Sequence, residues 1–158
     1  MALAKTNAMR ILDSQKVNYH IYTYDNKDGK IDGLSVAEKI SKDPLMVYKT
    51  LVAHGTSKSI YVFVIPVGLE LDLKKAAKAT AEKKIEMLAV KDIQSHTGYI
   101  RGGCSPIGMK KNYSTFIDES ALLLETIVVS GGKIGVQIEV DVESLKKLTS
   151  AVLVELVK

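Results

Sequence analysis

A lysine inside an apolar run and a glycine-rich segment around a lone thiol are the residues of this chain most suited to chemistry. Lys49 sits in Met46-Val47-Tyr48-Lys49-Thr50-Leu51-Val52. An ammonium in a strand core costs free energy unless it is paired or solvated. Alternation puts Lys49 and Leu51 on one face of that strand and Tyr48 and Thr50 on the other. The pattern reads two ways: a solvated lysine on an edge strand, or a cation in a cleft that binds phosphate or polarises a carbonyl. Glycines concentrate at 98–108 and 131–135. They are either awkward turns or places where backbone N–H groups face an anionic or carbonyl oxygen.

Other chemistries fit less well. Gly103–Lys110 spaces two glycines as a P-loop does, but Met109 stands where the lysine belongs, and no GxGxxG occurs. Cys104 is the one cysteine, so neither a disulfide framework nor a zinc site built on several thiolates is expected. As a nucleophile it would need a base within reach; His96 lies eight residues upstream, and nothing in the sequence brings it close. A small buried hydrophobe is the plainer reading of Cys104. Ser105 lies outside any GxSxG elbow. His20, His54 and His96 form no HxxxH pair, so neither a metal nor another cofactor is expected.

The elements that must position these residues follow from pattern. Thr6 or Asn7 caps a helix to about Lys16, and 17–24 alternates as a strand. A polar loop, 25–33, leads to a short helix capped by Ser35. Residues 47–54 and 59–66 form a hairpin. Asp72 caps a helix that runs through the Lys83-Lys84 pair, 84–87 is a short strand and 90–96 a helical turn. Strands follow at 115–118, 126–130 and 133–140, the last two joined by a turn at Gly131-Gly132. Asp141 caps a final helix, and 151–156 is the last strand. Hairpins mixed with helical crossovers predict a mixed α/β domain spanning 1–158.

The 158 residues are 46% hydrophobic and 25% charged, enough for one core without disulfide or metal support. No run of about 18 apolar residues occurs, and the first residues read as an amphipathic helix, so a soluble cytoplasmic protein is expected. The net charge of +4 is compatible with a polyanion partner. Lys74, Lys75, Lys78, Lys83 and Lys84, with Lys110 and Lys111, form either a solvated face or a surface for a nucleic-acid backbone. No base-reading motif accompanies them.

Taken together, VYKTLV at 47–52, LDLKKAAKA at 71–79, GYIRGGCSPIGMKK at 98–111 and VSGGKIGVQIEV at 129–140 resemble the YbaK/EbsC family of aminoacyl-tRNA deacylases along essentially the whole chain. The resemblance implies a curved, barrel-like mixed sheet flanked by helices. It implies hydrolysis in trans of Cys-tRNA(Pro), mischarged by prolyl-tRNA synthetase, with the substrate's own thiol attacking its ester. It places Lys49 on the tRNA 3′ end with Thr50 beside it. Gly102, helped by Gly103, falls on the ester carbonyl oxygen. Tyr24, Ser105, Ser130 and Gln137 fall on substrate-binding positions, Gln137 where some members are acidic. Arg101 adds an RNA contact, with Lys110 and Lys111 as further candidates. A positioned water acting on alanine or another small residue, or a non-catalytic tRNA- or synthetase-binding module, are the competing readings.

Overall fold

The computed structural model describes residues 4–158. Helix α1 (Asn7–Ser14) is capped by Thr6, whose side chain accepts from the Met9 N–H, and it buries Ala8, Met9 and Leu12. Strand β1 (Tyr19–Thr23) follows. Helix α2 (Gly33–Lys39) starts two residues before the expected cap. Asp32, not Ser35, is its N-cap, because Asp32 Oδ2 accepts from the Ser35 N–H at 3.1 Å. The expected hairpin is β2 (Tyr48–Gly55) and β3 (Ile60–Pro66).

Helix α3 (Leu73–Thr80) is capped by Asp72 but stops short of Lys83-Lys84. Ala81 turns left-handed (φ 57°) and closes it. Strand β4 (Ile85–Met87) and helix α4 (Val90–Thr97) lead to Gly98, then to the long irregular segment. Strand β5 (Ser114–Asp118) and a 3-10 turn (Glu119–Leu123) precede β6 (Thr126–Lys133) and β7 (Val136–Asp141). The glycine pair is not the turn between those strands. Gly131 and Gly132 lie within β6, at a register break between Ser130 and Lys133, and the chain reverses at Ile134–Gly135. A Cβ on Gly131 would sit 2.8 Å from Val136 Cγ1, so the pair marks close packing inside the hairpin. Helix α5 (Val142–Thr149) has Asp141 as its cap, and β8 (Val152–Val154) ends the sheet.

These strands make two sheets. One is antiparallel, in the order β1-β7-β6; the other is mixed, in the order β4-β2-β3-β5-β8. They touch through a parallel bridge between Val47 and Val128, and the whole is not closed. The main core fills the space between β6, β7, β3 and β5 with Ile127, Val129, Ile138, Val64 and Ile117, and is covered by α1 and α5. A second cluster lies between the other face of the mixed sheet and α3. Val47, Val128, Val67 and Ala37 join both sheets to α2.

That junction is tight at Gly33, where a Cβ would fall 2.5 Å from Val67 Cβ. Gly33→Ala therefore forces α2 away from the end of β3. Denaturant unfolding is expected to show a loss of about 1–3 kcal/mol from overpacking.

Candidate functional site

Beyond the Val47–Val128 bridge the two sheets part, and a cleft of about 780 Å³ fills the wedge. Strand alternation explains its polarity. The Met46 carbonyl accepts from Val128 N–H and the Val52 carbonyl from Leu88 N–H, both on the side of β2 away from β3. Thr50 lies between them with the same parity, so its backbone groups point into the wedge. Ser130 has the parity of Val128 on β6, so its backbone groups face the same gap.

Lys49, Thr50, Gly102, Arg101, Ser130 and Gln137 all line this one cleft. Ser130 and Gln137 are directly opposed on β6 and β7, so their side chains share a face. Gln137 is buried, and Ser130 Oγ accepts from the Gly132 N–H at 3.2 Å. Thr50 Oγ1 is buried with no hydrogen-bond partner among the described residues. Lys49 is half-buried, and no carboxylate lies within ion-pairing distance among the described residues. Burial lowers its pKa from the usual lysine value, and the more distant Glu70 carboxylate opposes that only in part. Lys49 and Thr50 both line the cleft from β2, so it offers an unneutralised cation to an anionic ligand.

Gly102 has φ 85°, and a Cβ there would lie 2.9 Å from Ile31 Cδ1. Its N–H has no protein acceptor among the described residues. Gly103 differs. Its N–H donates to the Ile100 carbonyl at 3.0 Å, and a Cβ there would sit 2.8 Å from Ile134 N. The paired donors expected at 102–103 therefore reduce to the Gly102 N–H, with Gly103 letting the segment pack on the β6–β7 hairpin. Ser105 is fully buried outside the cleft lining, and its Oγ accepts from the Ile107 N–H at 3.2 Å. It shapes the loop.

Tyr24 follows β1 and does not line the cleft; Lys39 Nζ stands 5.7 Å from its ring centroid. Its hydroxyl is buried and has no hydrogen-bond partner among the described residues. Lys110 donates to the Ser95 carbonyl at 3.2 Å, and Lys111 borders a separate pocket of about 160 Å³. Of the three candidate RNA contacts, only Arg101, which is exposed, stands at the cleft.

Ile31, Asp32, Leu34, Val36, Leu51 and Val67 also form the walls. Sequence reasoning passed over them because a polar loop and ordinary aliphatic residues carry no local chemical signal. Asp32 is occupied as the cap of α2, accepting from Ser35 through both carboxylate oxygens.

Among the described residues, no nucleophile with a base beside it lines the cleft. Cys104 lines it, but burial pushes its thiol up to about 11, and its polar neighbour is Thr97 Oγ1 at 4.0 Å. The thiol is thus protonated at neutral pH. His96 Nδ1 is engaged with the Asp92 carbonyl at 2.9 Å, and no histidine lines the cleft. The Tyr48 hydroxyl is hydrogen-bonded to Ser120 at 2.6 Å, and burial raises its pKa. Among the described residues no cluster of His, Cys, Asp and Glu is arranged to hold a metal, and no helix is long and apolar enough to cross a membrane.

Comparisons with known proteins show the family and the shared fold. The family model described as the aminoacyl-tRNA editing domain matches residues 34–148. An Enterococcus faecalis (strain ATCC 700802 / V583) protein, provisionally named Cys-tRNA(Pro)/Cys-tRNA(Cys) deacylase EbsC, is 46% identical over 152 residues, covering 96% of this chain and 93% of that one. A solved structure described provisionally as a trans-editing enzyme for prolyl tRNA synthetase superposes with a TM-score of 0.82 at 19% identity, covering 99% of each chain. The crystal structure of a hypothetical protein gives 0.88 at 16% identity, covering 97% of this chain and 100% of that one. At such identities the two structures show the shared fold. The model match and the Enterococcus relative decide the family: the chain belongs to the aminoacyl-tRNA editing domains, in the YbaK/EbsC group.

Proposed function

We propose that this domain hydrolyses cysteine from mischarged tRNA(Pro) in trans, using the cysteine thiol of its substrate as the nucleophile. The observation that carries the reading is an unneutralised Lys49 and an unpartnered Gly102 N–H lining one cleft, in which among the described residues no nucleophile has a base beside it. Lys49 holds the phosphate of the tRNA 3′ terminus as a point charge. Thr50, next to it in the strand, lines the cleft beside the terminal ribose. The Gly102 N–H then faces the ester carbonyl oxygen.

The thiol gives up its proton and its sulfur attacks the ester carbon. Negative charge gathers on the carbonyl oxygen, where the Gly102 N–H stabilises it. The ester C–O bond breaks, the ribose oxygen takes a proton and tRNA leaves with a free hydroxyl. The amino acid leaves as a four-membered thiolactone, which water opens to cysteine. The protein's share is to hold thiol and carbonyl together, which turns proximity into rate. Ser130 and Gln137 form the floor for the amino-acid moiety. Gln137 offers a neutral hydrogen-bond acceptor to the substrate ammonium where an acidic residue would offer charge.

A second sieve is needed because cysteine and proline are close in size, and a hydrophobic pocket rejects a near-isostere by only about 1–3 kcal/mol. The cleft reads an acyl-tRNA end, and the domain carries no base-reading motif. Identity of the tRNA then comes from prolyl-tRNA synthetase, held transiently. The Enterococcus relative's name, which covers two tRNAs, fits a domain that does not discriminate by itself.

Lys49→Met tests the anchor. It is expected to lose about 100-fold in kcat/KM, as for a charge-assisted contact. It should nevertheless melt no lower than the parent, because it removes an unpaired, half-buried charge. The pH sign agrees. The folded chain sheds the Lys49 proton below the usual 10.5, because burial disfavours the ammonium. Stability rises as pH passes from the folded value towards 10.5, while tRNA binding, which needs the ammonium, weakens over the same window. Binding titrations between pH 7 and about 10 check this.

A deacylation panel of Cys-, Ala- and Pro-tRNA(Pro), with and without prolyl-tRNA synthetase, tests the function itself. Cys-tRNA(Pro) should be cleared fastest, and the synthetase should sharpen the choice of tRNA. Clearance of Ala-tRNA(Pro) alone would move the reading to a positioned water, and tRNA binding without clearance to a binding module. Cys104→Ala is expected to keep most of the activity; a folded but inactive Cys104→Ala enzyme would assign the nucleophile to the protein.

A further inference from the structure

The loop from Asp25 to Asp32 connects β1 to α2 and gives Gly29, Ile31 and Asp32 to the cleft. Its internal bonds are short-range: Gly29 N–H to the Asn26 carbonyl at 3.1 Å, Lys30 N–H to Asp28 Oδ1 at 3.0 Å, and Ile31 N–H to the Gly29 carbonyl at 3.1 Å. Such turns shape a loop without fixing it to the rest of the fold. Lys39, the last residue of α2, does fix it. Its Nζ donates to the Asp25 carbonyl at 2.7 Å, to Asp28 Oδ1 at 2.8 Å and to the Lys30 carbonyl at 2.9 Å.

An ammonium has three donors, and Lys39 spends all three on this one loop. Two of the acceptors are backbone carbonyls, which an ordinary surface ion pair does not recruit. The side chain is only 22% exposed and lies over the Tyr24 ring. On its far side the same loop places Ile31 next to Gly102, where a Cβ would fall 2.9 Å from Ile31 Cδ1 and whose N–H has no acceptor among the described residues.

We propose that Lys39 is a positioning residue: by clamping the Asp25–Asp32 loop it holds Ile31 against Gly102 and so fixes the direction of the Gly102 N–H. The claim rests on the deacylase reading for its kinetic consequence, but not for its structural one. Loss of the clamp should act on the step at the ester carbonyl and leave the tRNA anchor at Lys49 intact. A displacement of the donor by about 1 Å is enough to cost one to two orders of magnitude in rate.

Lys39→Met keeps the aliphatic stem and removes the donors, and Ile31→Ala cuts the chain of contact one step later. Each is expected to lower kcat on Cys-tRNA(Pro) about tenfold or more with KM within about twofold. The double variant should be no worse than the more severe single, since both act in series. In Lys39→Met the backbone 15N order parameters should fall at 25–32 and also at Gly102. A Lys39→Met protein whose order parameters fall only at 25–32, or with parental kcat, overturns the proposal, as does strictly additive loss in the double variant. If the parent protein does not clear Cys-tRNA(Pro), the deacylase reading fails, and the order parameter at Gly102 still decides the clamp: lowered in Lys39→Met, it stands; unchanged, it falls.

Discussion

An ammonium partly withdrawn from water without a carboxylate to neutralise it is the constraint around which this domain is arranged. Lys49 bears that cost because the two sheets separate just after Val47 and Val128, leaving the start of β2 without a neighbour on one side. Had the sheets continued to pair, Thr50 and Ser130 would have satisfied each other's backbone and no cleft would exist. Had an acidic residue faced Lys49, the folded chain would gain an ion pair and lose its attraction for an external anion. The site is thus a place where stability is withheld so that a ligand can supply it.

The same economy governs the chemistry. A protein nucleophile needs a lowered pKa or a base beside it. Here Cys104 is held in its neutral form by burial, His96 is tied to its own helix and the Tyr48 hydroxyl is tied to Ser120. The remaining functions, a charge, a hydroxyl and one backbone donor, are those of a template. On the proposed function, such a template serves a substrate that brings its own thiol, and selectivity follows from that requirement as much as from the shape of the pocket.

The features readable in sequence were those that break a local pattern. Lys49 stands out in an apolar strand, and Gly102 in a segment too rich in glycine for a simple turn. Ser130 and Gln137 come from motifs. What escaped was set by tertiary contact. Nothing local distinguishes Ile31 or Val67 from other aliphatic residues; they matter because Gly102 and Gly33 approach them. Gly131-Gly132 looked like a turn because two glycines usually make one. The demand was instead for room beside Val136, and the reversal took place at Ile134–Gly135, where Gly135 has φ 94°. Gly103 shows the limit of carrying a motif by position, since its N–H already has an acceptor at Ile100.

The central claim, that the substrate's sulfur performs the attack, is tested most directly by replacing that sulfur. Deacylation of Cys-tRNA(Pro) is compared with that of tRNA(Pro) bearing 2-aminobutyrate, which has a methyl group in place of the thiol. The account predicts rapid clearance of the first, with a thiolactone trapped as product, and decay of the second at the buffer rate. Equal enzymatic rates for both would show that the protein or a bound water delivers the nucleophile, and would contradict it.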